Sequence, residues 1–173
     1  ICFSAIHGVE NCKFIFHGGL LLKDSYDVTL GGDTSELLYQ VTGSIHSQRT
    51  LFTRSSQNAV DVEYSENVYN CHDCFGCVRL RHKKYCILNK QYEKEEYFEM
   101  VEKIKKQMNE MPYIDKTGDT YTFGEVFPTE ISPFAYNETM AFEEEPLTKE
   151  EVIAKGYKWR ESESKSYVPT IKA

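Results

Sequence analysis

The stretch that decides the fold is CHDCFGC, residues 71–77, together with Cys86 further along the chain. Three of the six cysteines lie in this stretch, and Cys86 is a fourth. Cysteines at this spacing have two interpretations. They can be the ligands of a metal ion, or they can be the last rungs of a repeat that begins at Cys12. The first interpretation gives the chain chemistry of its own, and the second gives these residues a structural role.

A repeat of twelve or thirteen residues precedes this stretch. Its aligned positions, at steps of 13, 12, 13, 12, 12 and 12, are Cys12, Ser25, Leu37, Thr50, Val62, Cys74 and Cys86. The residue before each position is mostly polar, and the residue two positions after it is mostly large and apolar. This alternation with a period of two is typical of short strands that have one face inward. Turn-forming residues, among them Gly18-Gly19 and Gly43-Ser44, separate the strands.

The repeat predicts a mainly β fold, a short right-handed parallel β-solenoid that is β-helix-like. Two successive units would form one coil, with strands on two faces. An antiparallel meander or sandwich with C-terminal helices also spaces its strands by about 8–12 residues, so it stays open as the alternative. We predict a repeat β domain in residues 1–92. Residues 93–173 would form a capping helix and a segment that wraps back.

A helix is predicted from Lys94 to Met111. Its apolar stripe, at helical spacing, consists of Tyr97, Val101, Ile104 and Met108. Such a stripe is more typical of a packed core than of a cofactor site. Because the open end of a solenoid exposes strand edges and core, we expect this helix to cap that end.

The C-terminal part carries weaker local signals. Residues 113–123 predict a small hairpin around a Thr-Gly-Asp turn. Thr148 and Glu151 form a capping box that starts a short helix, which we expect to end at Gly156. The polar tail, residues 161–173, is expected to be loose.

Composition limits the function classes. The net charge of −7 disfavours nonspecific attraction to phosphate backbones or anionic lipid. No apolar run approaches the ~20 residues of a membrane span, so we expect no membrane partner. Cysteines gathered within a few residues suit metal ligands or reduced thiols better than a disulfide framework. This favours a cytoplasmic, reducing compartment.

Several blocks of sequence resemble a family of uncharacterised proteins from uncultured bacteria and environmental sequences, often labelled zinc-ribbon proteins. The blocks are CFGCVRLR (74–81), KYCILNKQY (84–92), SPFAYNET (132–139), PLTKEE (146–151) and GYKW (156–159). The resemblance implies that zinc ribbons precede the region to which this chain corresponds, and that the chain begins after them. It implies no activity and no catalytic residues.

Cys71, Cys74, Cys77 and Cys86 supply the four ligands that a zinc ion requires. Zinc is therefore the one cofactor that the sequence suggests. Strand parity opposes it, because alternation would point Cys74 and Cys86 inward but Cys71 and Cys77 outward, unless a bulge at Gly76 breaks the strand. In the other interpretation, Cys74 and Cys86 are small core rungs, since free cysteine is readily buried.

Acidic residues recur just before the aligned positions. If every second unit stacks, Glu36 and Asp61 would share one face. Asp24 and Asp73 would share the other face, with Arg49 between them. Paired carboxylates on an outer β face could act as acid and base in carbohydrate cleavage. A solvated ladder of ion pairs is the alternative.

A basic cluster offers a candidate contact with nucleic acid. It consists of Arg79, Arg81, Lys83 and Lys84 around His82, and aromatic residues border it. Basic residues interleaved with aromatic rings can hold a phosphate backbone and stack on bases. A basic loop also forms simply because it is solvated, and the acidity of the whole chain argues against nucleic acid.

These observations together predict a non-catalytic binding or scaffolding module with an unknown macromolecular partner. Two alternatives stay open, a carbohydrate-active enzyme that uses outer-face carboxylates and a zinc protein associated with nucleic acid. No catalytic residue can be assigned. An uncovered end of the solenoid at Ile1 would allow a second copy to pair with it, which predicts a homodimer.

Overall fold

A computed structural model describes residues 2–3 and 8–161 of the chain. Most of the tail that the sequence predicts to be loose, residues 162–173, lies outside the described residues. In the described part, one sheet contains twelve strands: β1 (Cys2–Phe3), β2 (Lys13–Phe16), β3 (Leu22–Lys23), β4 (Tyr26–Gly32), β5 (Ser35–Ile45), β6 (Gln48–Leu51), β7 (Arg54–Gln57), β8 (Val60–Glu63), β9 (Glu66–Tyr69), β10 (His72–Phe75), β11 (Lys84–Ile87) and β12 (Lys90–Gln91).

The strands stack in parallel, and each residue pairs with the residue twelve or thirteen positions later. One ladder contains β6, β8, β10 and β11, with Thr50, Val62, Cys74 and Cys86 in register. A second ladder runs from the end of β5 through β7 and β9. The chain is therefore mainly β and forms a parallel β-solenoid of about six coils, as predicted.

One detail of that prediction is wrong. Each unit of twelve or thirteen residues is a complete coil with a strand in both ladders, so two units are not needed to close one turn. The coil is half as long as expected because each strand has only about four residues and each corner takes only two.

A left-handed backbone conformation at every third residue closes so small a coil. From Leu37 to Leu88 every third residue has a positive φ, for example 49° at Asn58, 54° at Asp61 and 50° at Tyr64. This conformation costs an L-residue about 1–2 kcal/mol, and Asn and Asp are the non-glycine residues that adopt it most readily. The backbone stays paired there, since Tyr64 N–H still donates to Leu51 O of the preceding coil at 3.0 Å. The inter-coil hydrogen bonds therefore offset the strain.

The residue after each left-handed position points into the interior. The resulting inward set from 47 to 77 is uniformly small: Ser47, Thr50, Thr53, Ser56, Ala59, Val62, Ser65, Val68, Cys71, Cys74 and Cys77, all buried. The period of burial is thus three, and the predicted period of two was wrong. The predicted inward Leu37 is 46% exposed, while Leu38 is 1% exposed. The early coils advance by 13 residues three times before the step settles at 12.

Serine side chains satisfy the backbone inside the tube. Ser65 Oγ donates to Glu63 O at 2.8 Å and accepts from Cys77 N–H of the next coil at 3.0 Å. Ser47 Oγ makes the same pair of contacts, with Ile45 O and Ala59 N–H. These two inward hydroxyls therefore bond to their own coil and to the next one, so serine can fill the interior.

The helix α1 (Lys94–Glu110) forms as predicted, and its stripe is the face that packs. Tyr97, Val101, Ile104 and Met108 belong to one hydrophobic cluster with the outward side chains Phe52, Tyr64, Phe75 and Ile87. These four solenoid residues come from successive coils, so α1 lies along the side of the solenoid and not across its open end, where the sequence predicted it. The last coil is covered by β12, which pairs with β11 in the antiparallel direction.

The described chain divides into two compact units. One contains Ile1–Pro112 and Thr122–Val126, and the other contains Tyr113–Tyr121 and Phe127–Ala173. The second unit contains β13 (Tyr113–Ile114), β14 (Thr120–Tyr121), α2 (Met140–Glu144), α3 (Lys149–Ala154) and two short 3₁₀ turns, Thr129–Ile131 and Tyr136–Glu138. The predicted hairpin and the capping box of Thr148 and Glu151 are both confirmed. None of the described helices has the length and apolarity needed to cross a bilayer.

Substitution of a left-handed residue tests the constraint that closes the coil. Ser55 has a φ of 53°, and Ser55→Val should lower the free energy of unfolding by about 1 kcal/mol or more, because branched side chains tolerate this region poorly. Gln57 lies in the same strand without a positive φ, so Gln57→Val should change stability by about 0.5 kcal/mol or less. Urea unfolding measures both variants, and equal losses would contradict the assignment.

Thr50 offers a test of the interior. Its hydroxyl is buried and finds no hydrogen-bond partner among the described residues. Thr50→Val should therefore raise the free energy of unfolding by about 1 kcal/mol, whereas Ser65→Ala, which removes two hydrogen bonds, should lower it by about 1–2 kcal/mol. A destabilised Thr50→Val variant in thermal and urea unfolding would show that this hydroxyl is paired.

Candidate functional site

The cysteine-rich stretch forms most of the interior of the sixth coil. Cys71, Cys74 and Cys77 are each no more than 1% exposed. The predicted outward orientation of Cys71 and Cys77 was wrong, because the left-handed residues at 70, 73 and 76 turn every third side chain inward. Gly76 does not form the bulge that would break the strand. Its φ of 65° belongs to the same series of left-handed residues at every third position.

All four predicted metal ligands meet in one buried cluster. Cys86, in β11, is the register partner of Cys74 in β10, and the four cysteines share the cluster with Ala59, Val62 and Val68. The interaction of the Cys74 and Cys77 thiols raises the pKa of Cys74, which burial raises further, and lowers the pKa of Cys77. Burial raises the pKa of Cys86. The structure thus brings together the residues that the sequence selected.

The thiols make the contacts that serine hydroxyls make in the earlier coils. Cys77 Sγ donates to Phe75 O at 3.5 Å and accepts from Asn89 N–H at 3.4 Å. Cys71 Sγ donates to Tyr69 O at 3.3 Å and accepts from Lys83 N–H at 3.5 Å. This agreement in geometry favours the interpretation of the cysteines as rungs of the core.

The geometry offers less to a metal ion. In the part of the chain that the structure describes, no group of three or more His, Cys, Asp or Glu residues is arranged to hold one. The two histidines nearest to the cysteines in sequence, His72 and His82, are exposed, and the His72 ring lies 2.9 Å from Asp73. Zinc binding by the four cysteines stays a prediction.

The acidic residues considered for catalysis fall on one ladder. Because every unit stacks on the next, Asp24, Glu36, Asp61 and Asp73 lie on the same side with Arg49, and their predicted division between two faces was wrong. Arg49 donates two hydrogen bonds to Asp61, at 2.6 and 2.7 Å, and the pairing raises the pKa of Arg49. A carboxylate bound in this way is poorly suited to act as a general base. The arrangement is a ladder of paired charges.

The basic cluster is larger than the sequence suggested. We call it the basic collar and define it by six exposed cations: Arg79, Arg81, Lys83, Lys84, Lys90 and Lys94. Within residues 2–3 and 8–161, none of the six forms an ion pair with a carboxylate. The only acidic residue between positions 79 and 94 is Glu93. The collar is therefore a concentrated positive region on an acidic chain.

The collar passes from one ladder of strands to the other. Arg81 pairs with Tyr69 of β9 in an isolated bridge, whereas Lys84 is the register partner of His72 in β10. Lys83 lies between the two, at the edge of the coil. A shallow cleft of about 340 Å³ opens there, lined by Asn70, His72, His82, Lys83, Lys84 and Gln91.

Aromatic rings accompany the cations of the collar. The Arg81 guanidinium lies 4.7 Å from the centre of the Tyr69 ring, and Lys90 Nζ lies 4.9 Å from that of Tyr92. Sequence reasoning missed Tyr69, although its position twelve residues before Arg81 was a usable signal. It also missed Lys90 and Lys94, which β12 and the start of α1 add to the collar.

The second unit contains a separate cleft of about 370 Å³. Its walls include Phe134, Leu147 and Lys155, with the parallel rings of Tyr136 and Tyr157 5.6 Å apart. It is built from the blocks SPFAYNET and GYKW that carry part of the family resemblance. Its polar groups are largely engaged, since Tyr136 Oη donates to Glu145 O at 2.6 Å and Lys158 Nζ to Ser132 O at 2.7 Å.

Comparison of the chain with models of protein families, with curated proteins and with solved structures returns no significant match. The resemblance to proteins labelled as zinc-ribbon proteins therefore stays a prediction. Two features of the molecule remain as candidates for function: the buried thiol cluster and the exposed basic collar.

Conservative substitution separates the two roles of the thiols. If Cys77 is a rung of the core, Cys77→Ser keeps the hydrogen-bond donor and the acceptor at this position. It should then change the free energy of unfolding by about 1 kcal/mol or less. Cys77→Val removes both hydrogen bonds and should cost about 1–3 kcal/mol. Urea unfolding of the two variants beside the unchanged chain makes the comparison.

Metal analysis of the purified chain tests the other interpretation, in which the thiols bind zinc. If the thiols are rungs, addition of a strong chelator should leave the circular dichroism spectrum and the melting temperature unchanged. Stoichiometric zinc that disappears in Cys77→Ser, together with unfolding by the chelator, would overturn the rung interpretation.

Proposed function

We propose that the chain is a non-catalytic binding module that holds an anionic macromolecule at the basic collar. The observation that carries the proposal is the set of six exposed cations without carboxylate partners among the described residues. Most other cations of the first unit are paired with carboxylates, as in the pairs of Arg49 with Asp61 and Lys105 with Glu63. The collar is thus a local exception on a chain with a net charge of −7.

An anionic polymer would relieve the repulsion within the collar. Like charges held close together repel one another, by about 1 kcal/mol for a pair 4 Å apart in water. A polyanion that neutralises them also releases its own counterions, which is the main source of affinity in such complexes. Because the inter-coil hydrogen bonds already fix the backbone of the collar, little backbone conformational freedom is lost on binding.

The remaining chemistry of the solenoid supports binding in preference to catalysis. The thiols are buried and hydrogen-bonded to the backbone. Asp61 is held by Arg49, and small side chains fill the interior. The outer surface is therefore the part of the solenoid that a partner can reach.

Charge neutralisation tests the proposal. The triple variant Arg81→Gln, Lys83→Gln, Lys84→Gln should elute from immobilised heparin at a clearly lower salt concentration than the unchanged chain, because each lost cation removes one ionic contact. The matched control replaces Lys103, Lys106 and Lys149 with Gln, three cations that pair with carboxylates. It should elute with the unchanged chain.

Thermal unfolding checks that both triple variants are folded, which we expect because all six replaced side chains are exposed. Equal elution of the collar variant and the control variant would contradict the proposal. So would failure of the unchanged chain to bind heparin at low salt.

A further inference from the structure

The shape of the basic collar restricts the polyanion that can use it. Arg79 and Arg81 continue the ladder of β7 and β9, where Val78 and Arg81 bridge Glu66 and Tyr69. Lys84 belongs to the other ladder, and Lys83 lies at the edge between them. A ligand that contacts all these cations must follow the edge of a coil only twelve residues round.

A rigid duplex cannot follow that edge. Double-stranded DNA has a persistence length of about 50 nm, so it would stay straight on the scale of a coil and touch the cations of one ladder only. A single strand bends at every nucleotide, and it can pass from Arg79 round Lys83 to Lys84. The curvature of the collar therefore selects a flexible polymer.

The aromatic rings beside the cations select bases as well as phosphates. Tyr69, Tyr85 and Tyr92 are each half-buried, and each has a cation of the collar within 4.7 to 5.5 Å of its ring centre. Unpaired bases stack on such rings or on the flat face of an arginine guanidinium. The guanidinium of Arg81, which already lies over Tyr69, can present its other face to a base.

We infer that the basic collar binds single-stranded nucleic acid, which wraps round the edge between the two ladders, with phosphates on the lysines and bases on the ring faces. This inference rests on the proposed function and names its ligand. The recognised chemistry, a flexible phosphate chain with unpaired bases, is common to RNA and DNA.

Binding of labelled oligonucleotides, measured by fluorescence anisotropy with the full chain, tests the inference. The probes are oligo-dT and oligo-rU of about 16 nucleotides, the upper range of single-strand site sizes, a duplex of the same length, and inorganic polyphosphate as competitor. We expect both single strands to bind more tightly than the duplex. At an equal concentration of phosphate groups, polyphosphate should compete only weakly with the single strands. Tighter binding of rU than of dT would add a contact to the ribose hydroxyl.

Two kinds of variant separate charge from stacking. Arg81→Gln and, independently, Lys84→Gln should each reduce the slope of log affinity against log salt by about 0.7, the value for one phosphate of a single strand. Lys103→Gln, on the solvent side of α1, should not change it. Tyr69→Leu should weaken single-strand binding at least about fivefold, as loss of one stacked base does, while binding of polyphosphate is unaffected.

The outcomes distinguish the two proposals. If duplex and polyphosphate bind as tightly as single strands, and Tyr69→Leu is neutral, the inference is overturned while the polyanion-binding module stands. If no anionic polymer depends on the collar, both fall. Circular dichroism melting of each variant ensures that only folded proteins are compared.

Discussion

The structure depends on a left-handed residue at every third position, held there by a hydrogen bond to the preceding coil. Each such residue costs strain energy, and each inter-coil bond offsets it, so neither the conformation nor the stacking would persist alone. Tyr64 shows the balance, with a φ of 50° and an N–H that donates to Leu51 O. The stability of the tube is therefore distributed along its length.

The same constraint sets the composition of the interior. Four inward positions in a coil of twelve residues leave a narrow bore, and from residue 47 to residue 77 the side chains that fill it are Ser, Thr, Ala, Val and Cys. Cysteine then replaces serine without a change of geometry, because a thiol can donate to the same carbonyl and accept from the same N–H. Cys71 and Cys77 are in this respect a continuation of the columns that contain Ser47 and Ser65.

Much of the architecture could be predicted from the sequence, because stacking leaves a direct trace at a fixed step. Thr50, Val62, Cys74 and Cys86 were found by counting twelves, and they are in register. The step of thirteen misplaced Leu37 by one residue, since a single extra corner residue shifts the register without changing the polarity pattern. The period of three was missed because left-handed residues are marked in the sequence only by a higher frequency of Asn and Asp. These residues occur at positions such as 58, 61, 67, 70 and 73. The basic residues 79–84 were visible as a run in the sequence. Tyr69 and Lys90 were missed because only the stacking of the coils brings them to the basic collar.

The length of helix α1 can be compared with the number of coils that it covers. Its 17 residues make it about 25 Å long, which equals about five strand spacings of about 4.8 Å. The aromatic column that it covers continues beyond Phe52 and Tyr39 to Tyr26 and Phe14, which are 41% and 49% exposed. Duplication of a twelve-residue unit is the simplest way for such a tube to grow, and each added coil would leave one more ring beyond the reach of the helix. The length of one helix thus sets how many rings of the aromatic column are covered, and the rings beyond it stay exposed.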